Sequence, residues 1–157
     1  MFNPEKFKWH PFGNDENIPQ IVIDWLLDNQ SLTAKLRDKY TNFSVNVISQ
    51  KPSTPYACEL DLLDNSSSKF IIREVELMGN NQAVVFARSV IPIKSDTEKI
   101  LSIGSKPLGE LLFDDPEIKR GPLEVGNHNN TWARRSTFTV NQTKVLVSEI
   151  FLEQLYA

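Results

Sequence analysis

Apolar residues recur along this chain with two different periods. Ile18, Ile21, Val22, Trp25 and Leu26 fall on one face of a helix, and Pro19 suits its first turn. A second helix is predicted from Ser31, as N-cap, to about Tyr40, with Leu32 and Leu36 turned inward. The tight Asn29-Gln30 connection makes the pair a helical hairpin. From Phe43 the period becomes two. Phe43, Val45 and Val47 alternate with Ser44 and Asn46, as in a half-buried strand. Residues 49–57 read as a loop, 58–63 as a short strand, and Asp64 to Ser68 as a turn. Two long strands, Phe70–Met78 and Ala83–Ile93, flank Gly79-Asn80-Asn81-Gln82, a hairpin signal. Short helices are expected near 96–102 and over Pro107–Phe113. Strands over 117–126, 131–140 and 144–152 complete the chain, joined by polar turns at Asn127–Asn130 and Asn141–Thr143. Residues 1–17, interrupted by Pro4 and Pro11, read as an irregular arm.

Strands that follow one another through short polar turns favour an antiparallel meander over parallel crossovers. The expected class is therefore α+β. It has roughly six antiparallel strands, with an N-terminal helical hairpin and one or two short helices covering an internal site. With 157 residues the chain is expected to be one domain, 1–157.

Composition narrows the functions. A net charge of −3 and a pI near 5.4 argue against a generic nucleic-acid binder. They also mean that an anionic ligand must be held by local cations. Cys58 is the single cysteine, so no internal disulfide forms, and with two histidines a His/Cys metal cage is not expected. No signal-like segment opens the chain, and no apolar run approaches the ~20 residues that span a bilayer. The expectation is a cytoplasmic monomer without stable membrane insertion.

The informative feature is charge on apolar strand faces. Arg73 is in line with Ile71, Val75 and Leu77; Glu149 with Val145, Val147 and Phe151. Arg88 shares a face with Val84, Phe86 and Val90, and Arg134 with Trp132, Phe138 and Val140. Desolvating an ion costs several kcal/mol unless it is paired. These residues are therefore either structural ion pairs, Arg73 with Glu149 being one option, or parts of a ligand site. An arginine fork would bind a carboxylate through two hydrogen bonds, and a nearby carboxylate would accept from a hydroxyl or manage a proton. Other motifs fail. Gly104-Ser105-Lys106-Pro107-Leu108-Gly109 has P-loop glycine spacing but continues with Glu110-Leu111 instead of Lys and Ser/Thr.

Five strand and helix-start segments occur in an order that resembles the chorismate pyruvate-lyase family. They are Ile72-Arg73-Glu74-Val75, Ala87-Arg88-Ser89-Val90-Ile91-Pro92, Pro107-Leu108-Gly109-Glu110-Leu111-Leu112-Phe113, Trp132-Ala133-Arg134-Arg135-Ser136 and Ser148-Glu149-Ile150-Phe151-Leu152. Asp24-Trp25-Leu26-Leu27 and Ser31-Leu32-Thr33 add to the match, which covers roughly residues 18–155. The resemblance implies an antiparallel sheet with a helical flap over a closed site. It implies conversion of chorismate to 4-hydroxybenzoate and pyruvate, without metal or organic cofactor, for ubiquinone biosynthesis. By motif, Arg73 would bind the ring carboxylate and Glu149 would face the ring hydroxyl. Leu32 and Leu108 would contribute mainly backbone groups at two helix starts. The family often has Met where this chain has Leu32, which matters little for a main-chain contact. Arg88 and Arg134 are the candidates for the second carboxylate. Segments 1–17 and 49–66 match poorly and inherit no role.

Two rivals remain at this level. One is a non-catalytic sensor domain of the same fold that binds a small aromatic acid. The other is a structural or partner-binding protein whose strand-borne charges are all salt-bridged.

Overall fold

A computed structural model describes residues 2–13, 17–27, 31–63 and 69–157. The expected Asn29-Gln30 connection and the turn at 64–68 lie outside the described residues. Eight strands form one antiparallel sheet: β1 (Lys8–Pro11), β2 (Phe43–Pro52), β3 (Phe70–Gly79), β4 (Gln82–Pro92), β5 (Lys119–Arg120), β6 (Glu124–His128), β7 (Thr131–Val140) and β8 (Thr143–Phe151). Their order is β1-β6-β7-β8-β4-β3-β2, with β5 pairing β7. The sheet is open at its two edges, β1 and β2.

Turn chemistry sets the register. Asn80 and Asn81 take φ of 49° and 69°, and Asn129 and Asn130 take 48° and 64°. These are the left-handed values that a two-residue hairpin turn demands, and asparagine tolerates them better than most residues. A β-bulge between Leu77 and Met78 then shifts the first hairpin by one residue and brings Arg73 opposite Ser89, while pairing of β8 with β4 and with β7 sets Glu149 opposite Ala87 and Arg134.

Alternation then divides the side chains between two faces. On the inner face, Val75, Leu77, Val85 and Phe151 pack with Val22, Trp25, Leu26, Leu32 and Leu36 of α1 (Gln20–Leu26) and α2 (Leu32–Lys39). Further along that face, Ile91, Phe138 and Val145 pack with Ile100 of α4 (Glu98–Leu101) and with Leu108 and Leu112 of α5 (Leu108–Asp114). A polar band separates these two clusters. On the outer face, Phe70, Ile72, Val90 and Leu146 pack with Leu63, beside α3 (Ala57–Leu60).

Several expectations need correction. The arm 1–17 is not wholly irregular: it contains β1, which pairs β6 from Lys8 opposite Asn127 to Pro11 opposite Glu124. Trp9 of β1 lies flat over Gly126, where even a Cβ would come within 2.7 Å of the ring. Among the described residues strands therefore number eight, not about six. Residues 58–63 are not a strand. They begin in α3, because Glu59 Oε1 accepts from the Tyr56 backbone N–H at 2.9 Å and caps a helical turn. The single strand expected over 117–126 is two, β5 and β6, broken at Gly121-Pro122. His10, expected in the irregular arm, lies within β1, and His128, expected in the turn at Asn127–Asn130, ends β6.

Candidate functional site

Where the two inner-face clusters part, α2 and α5 cross the sheet and enclose a cavity of about 40 Å³. Its floor includes Arg73, Val75, Ala87, Ser89, Val147 and Glu149. Its roof is the first turns of α2 and α5, through Leu32, Thr33, Leu108 and Gly109. Ser31 caps α2 by accepting from the Ala34 N–H at 3.1 Å. This leaves the preceding amide groups of that turn without intrahelical partners. The roof is latched at the surface by an Arg37–Glu110 ion pair between α2 and α5.

Arg73 is 2% exposed. Its guanidinium donates to Gln50 Oε1 at 2.9 Å, to the Gly104 carbonyl at 2.8 Å and to the Lys106 carbonyl at 3.1 Å. All three acceptors are neutral, and among the described residues Arg73 makes no ion pair. Burial pushes its pKa down, with no carboxylate to offset the loss of water. A cation so placed attracts an anion into the cavity.

The Arg73–Glu149 salt bridge considered from the sequence is not formed. Glu149 instead accepts from Arg134 Nε at 2.8 Å through Oε1. Arg134 is 1% exposed and reaches the other way to the carbonyls of Leu26 (3.0 Å) and Trp25 (3.4 Å), at the end of α1. A cation there satisfies orphan carbonyls of the helix C-terminus. It also fixes the direction of the Glu149 carboxylate.

The four residues singled out from the sequence, Arg73, Glu149, Leu32 and Leu108, all line this one cavity. The two candidates for a second carboxylate do not. Arg134 is engaged with Glu149 and α1. Arg88 is on the outer face, because it stands opposite Glu74 and one residue out of phase with Ser89. There it forms a two-pronged pair with the fully buried Glu59, at 2.8 and 2.9 Å, and reaches Glu74 at 3.1 Å. Burial works against its charge, but Glu59 and then Glu74 more than compensate, and its pKa is raised. Cys58, on the same helix as Glu59, is half-buried, and burial pushes its thiol up despite Arg135 at 3.6 Å.

Sequence reasoning missed Ser89 and Thr33. Both hydroxyl-bearing residues are buried at the cavity wall, and neither side chain makes a hydrogen bond among the described residues. Ser89 was not legible from the turn alone: extended from Asn80-Asn81, the pairing sets Arg88 across from Arg73, and the bulge between Leu77 and Met78 puts Ser89 there instead. Among the described residues no cluster of His, Cys, Asp and Glu would hold a metal ion, and no helix is long and apolar enough to cross a membrane.

Comparison with known proteins gives the family. A relative from Aromatoleum aromaticum, named probable chorismate pyruvate-lyase, is 35% identical and is matched over 95% of this chain and 94% of its own. One of the same name from Psychromonas ingrahamii is 36% identical over 83% and 82%. A crystal structure of a gene product from Staphylococcus aureus subsp. aureus N315 superposes with a TM-score of 0.52. It shares 10% identity and covers 81% of this chain and 90% of that one, so it speaks for the fold alone. The family model for chorismate lyase matches residues 3–157, and the chain belongs to that family.

Proposed function

We propose that residues 1–157 form one catalytic domain that eliminates pyruvate from chorismate and leaves 4-hydroxybenzoate, the ring precursor of ubiquinone. One observation carries the reading. A buried arginine with only neutral acceptors and a carboxylate held by a different arginine share the wall of one enclosed cavity. The substrate has complementary parts: a ring carboxylate for Arg73 and a ring hydroxyl for Glu149.

In the reaction the ether C–O bond at C3 breaks and the C4 proton is lost. The pair from the C–H bond completes the aromatic ring, and the released enolpyruvate becomes pyruvate. Aromatisation makes the step strongly downhill, so no electron acceptor enters its balance. Positioning and exclusion of water carry the catalysis. Arg73 fixes the ring through a two-pronged hydrogen bond. Glu149, aimed by Arg134, accepts from the C4 hydroxyl. The leaving enolpyruvyl oxygen or Glu149 takes the proton. Leu32 and Leu108 supply backbone groups and apolar cover from the roof. The cavity is closed by α2 and α5, so release of the product requires that roof to open.

The test is to incubate the purified chain with chorismate and follow 4-hydroxybenzoate and pyruvate together. Equal amounts of both, made catalytically, are the expected result. Saturable binding of 4-hydroxybenzoate without pyruvate release would make the protein a sensor-type binder instead.

A further inference from the structure

Arg73 answers one carboxylate of a substrate that carries two. The residues considered for the other are spoken for: Arg88 by Glu59 and Glu74 on the outer face, Arg134 by Glu149 and α1. One more arginine remains near the site. Arg120, on the two-residue strand β5, stands opposite Phe138. Its guanidinium carbon lies 5.3 Å from the centre of the Phe113 ring and 5.6 Å from that of Phe138, and both rings line the cavity. Among the described residues its one hydrogen bond is from Nε to Ser136 Oγ, at 3.0 Å. Among the described residues it makes no ion pair.

We propose that Arg120 receives the second carboxylate of the substrate, the one on the enolpyruvyl arm, past the edges of Phe113 and Phe138. The inference rests on the lyase reading above and names the group which that reading left open. Charge balance supports it. The buried and half-buried charges about the cavity are Arg73, Arg134, Glu149 and Arg120. The three cations and one anion leave two positive charges over, which match a dianion. A monoanionic product leaves one of them unmatched. Arg120 also belongs to this field and not to the bulk surface. Burial and then Arg134 press its pKa down, while Glu149 raises it. A stacked arginine with one hydrogen bond keeps most of its donors for a ligand.

Arg120→Gln and Arg120→Lys test this by a split that a structural role would not produce. KM for chorismate should rise about 10- to 100-fold in Arg120→Gln, as for loss of a charge-assisted contact. The Kd of 4-hydroxybenzoate, which lacks the second carboxylate, should change less than about threefold. Arg120→Lys should recover part of the loss. Equal movement of KM and product Kd, or no movement of either, overturns the proposal. If Arg120→Gln fails to fold, Ser136→Ala serves, since it frees Arg120 Nε; a rise in KM without a change in product Kd is then expected, and unchanged KM counts against the role.

A binding measurement separates this inference from the lyase reading. The aromatic dicarboxylate 3-(carboxymethoxy)-4-hydroxybenzoate should bind the unaltered protein more tightly than 4-hydroxybenzoate. That preference should vanish in Arg120→Gln. This outcome is read whether or not chorismate is turned over. Absence of turnover with the preference intact would defeat the lyase reading and leave the Arg120 site standing.

Discussion

Arg73 and Arg88 stand on adjacent strands of one hairpin, 2% and 6% exposed, and the sheet sends them to opposite faces. On the outer face Arg88 meets two carboxylates and the Tyr56 ring at 5.0 Å. Its charge is neutralised within the fold, under α3. On the inner face Arg73 meets only an amide oxygen and two backbone carbonyls, and a cavity opens beside it. The same residue type thus serves as structure where the chain supplies the counter-ion, and as receptor where it does not. Burial alone does not distinguish the two; the identity of the acceptors does.

The largest expected effect follows from removing the receptor. Arg73→Ala should lower kcat/KM for chorismate by about 30- to 5,000-fold, the equivalent of the ~2–5 kcal/mol expected for loss of a buried charge-assisted contact. Its melting temperature should change far less than its activity suggests, because the variant strands no buried carboxylate. If turnover persisted while the protein melted much earlier, Arg73 would be the structural arginine and the comparison would be inverted.

The converse substitution is Glu59→Gln. It leaves Arg88 buried with one counter-ion gone, and breaking such a pair costs about 3–5 kcal/mol. For a chain of this size that lowers the melting temperature by about 6–20 °C. Folded enzyme, assayed well below that transition, should keep kcat/KM within about threefold, since Glu59 faces away from the cavity. The double variant Glu59→Leu with Arg88→Met should regain much of the stability, because an apolar replacement removes both desolvation costs.

How much of this contrast could be read from the sequence depends on range. The period-two pattern put Arg73 with Ile71, Val75 and Leu77, and Glu149 with Val147 and Phe151, and the strands fold that way. The helix starts at Ser31 and Pro107 were legible because caps are local. Arg88 looked like Arg73 because each sits among aliphatic neighbours in its own strand. What separates them is Glu59, 29 residues from Arg88, on a segment whose short length and apolar residues suggested a strand. No local rule reports that a glutamate will be fully buried under a sheet. β1 was hidden for the same reason: its partner β6 lies more than a hundred residues later, and its pattern is interrupted by proline. Arg120 was not singled out, because residues 117–126 read as one strand and nothing local reports that Phe113 and Phe138 come to it from other elements.

A smaller effect sharpens the comparison from the ligand's side. With 4-hydroxybenzoate at about 100 times its Kd, mass action adds about 2.7 kcal/mol to stability, or roughly 5–10 °C in melting temperature. Arg73→Ala should lose this shift. Glu59→Gln should keep it in full, on top of its lower baseline. A shift that survived in Arg73→Ala and vanished in Glu59→Gln would move the ligand to the outer face. Differential scanning fluorimetry on the three proteins reads all of these outcomes.

The smallest effect concerns a polar group with neither counter-ion nor cavity. Among the described residues the buried Tyr156 hydroxyl has no hydrogen-bond partner, and burial raises its pKa to about 12. In the unfolded chain the phenol titrates near its ordinary value of 10.0. The folded state therefore binds the proton more tightly. Its stabilising contribution is fully present below pH 10.0 and is lost as pH rises from there to about 12. Tyr156 is only half-buried, so solvent screening reduces the effect to the order of 1 kcal/mol. Tyr156→Phe removes the titration. Its urea-unfolding free energy should fall less steeply than that of the unaltered protein across that alkaline range. At neutral pH the variant should be no less stable, since it deletes a buried hydroxyl that makes no bond. A loss of about 1 kcal/mol or more at neutral pH would show that the hydroxyl has a partner after all. It would then belong with Arg88, as a polar group satisfied within the fold, and not with groups left waiting for a ligand.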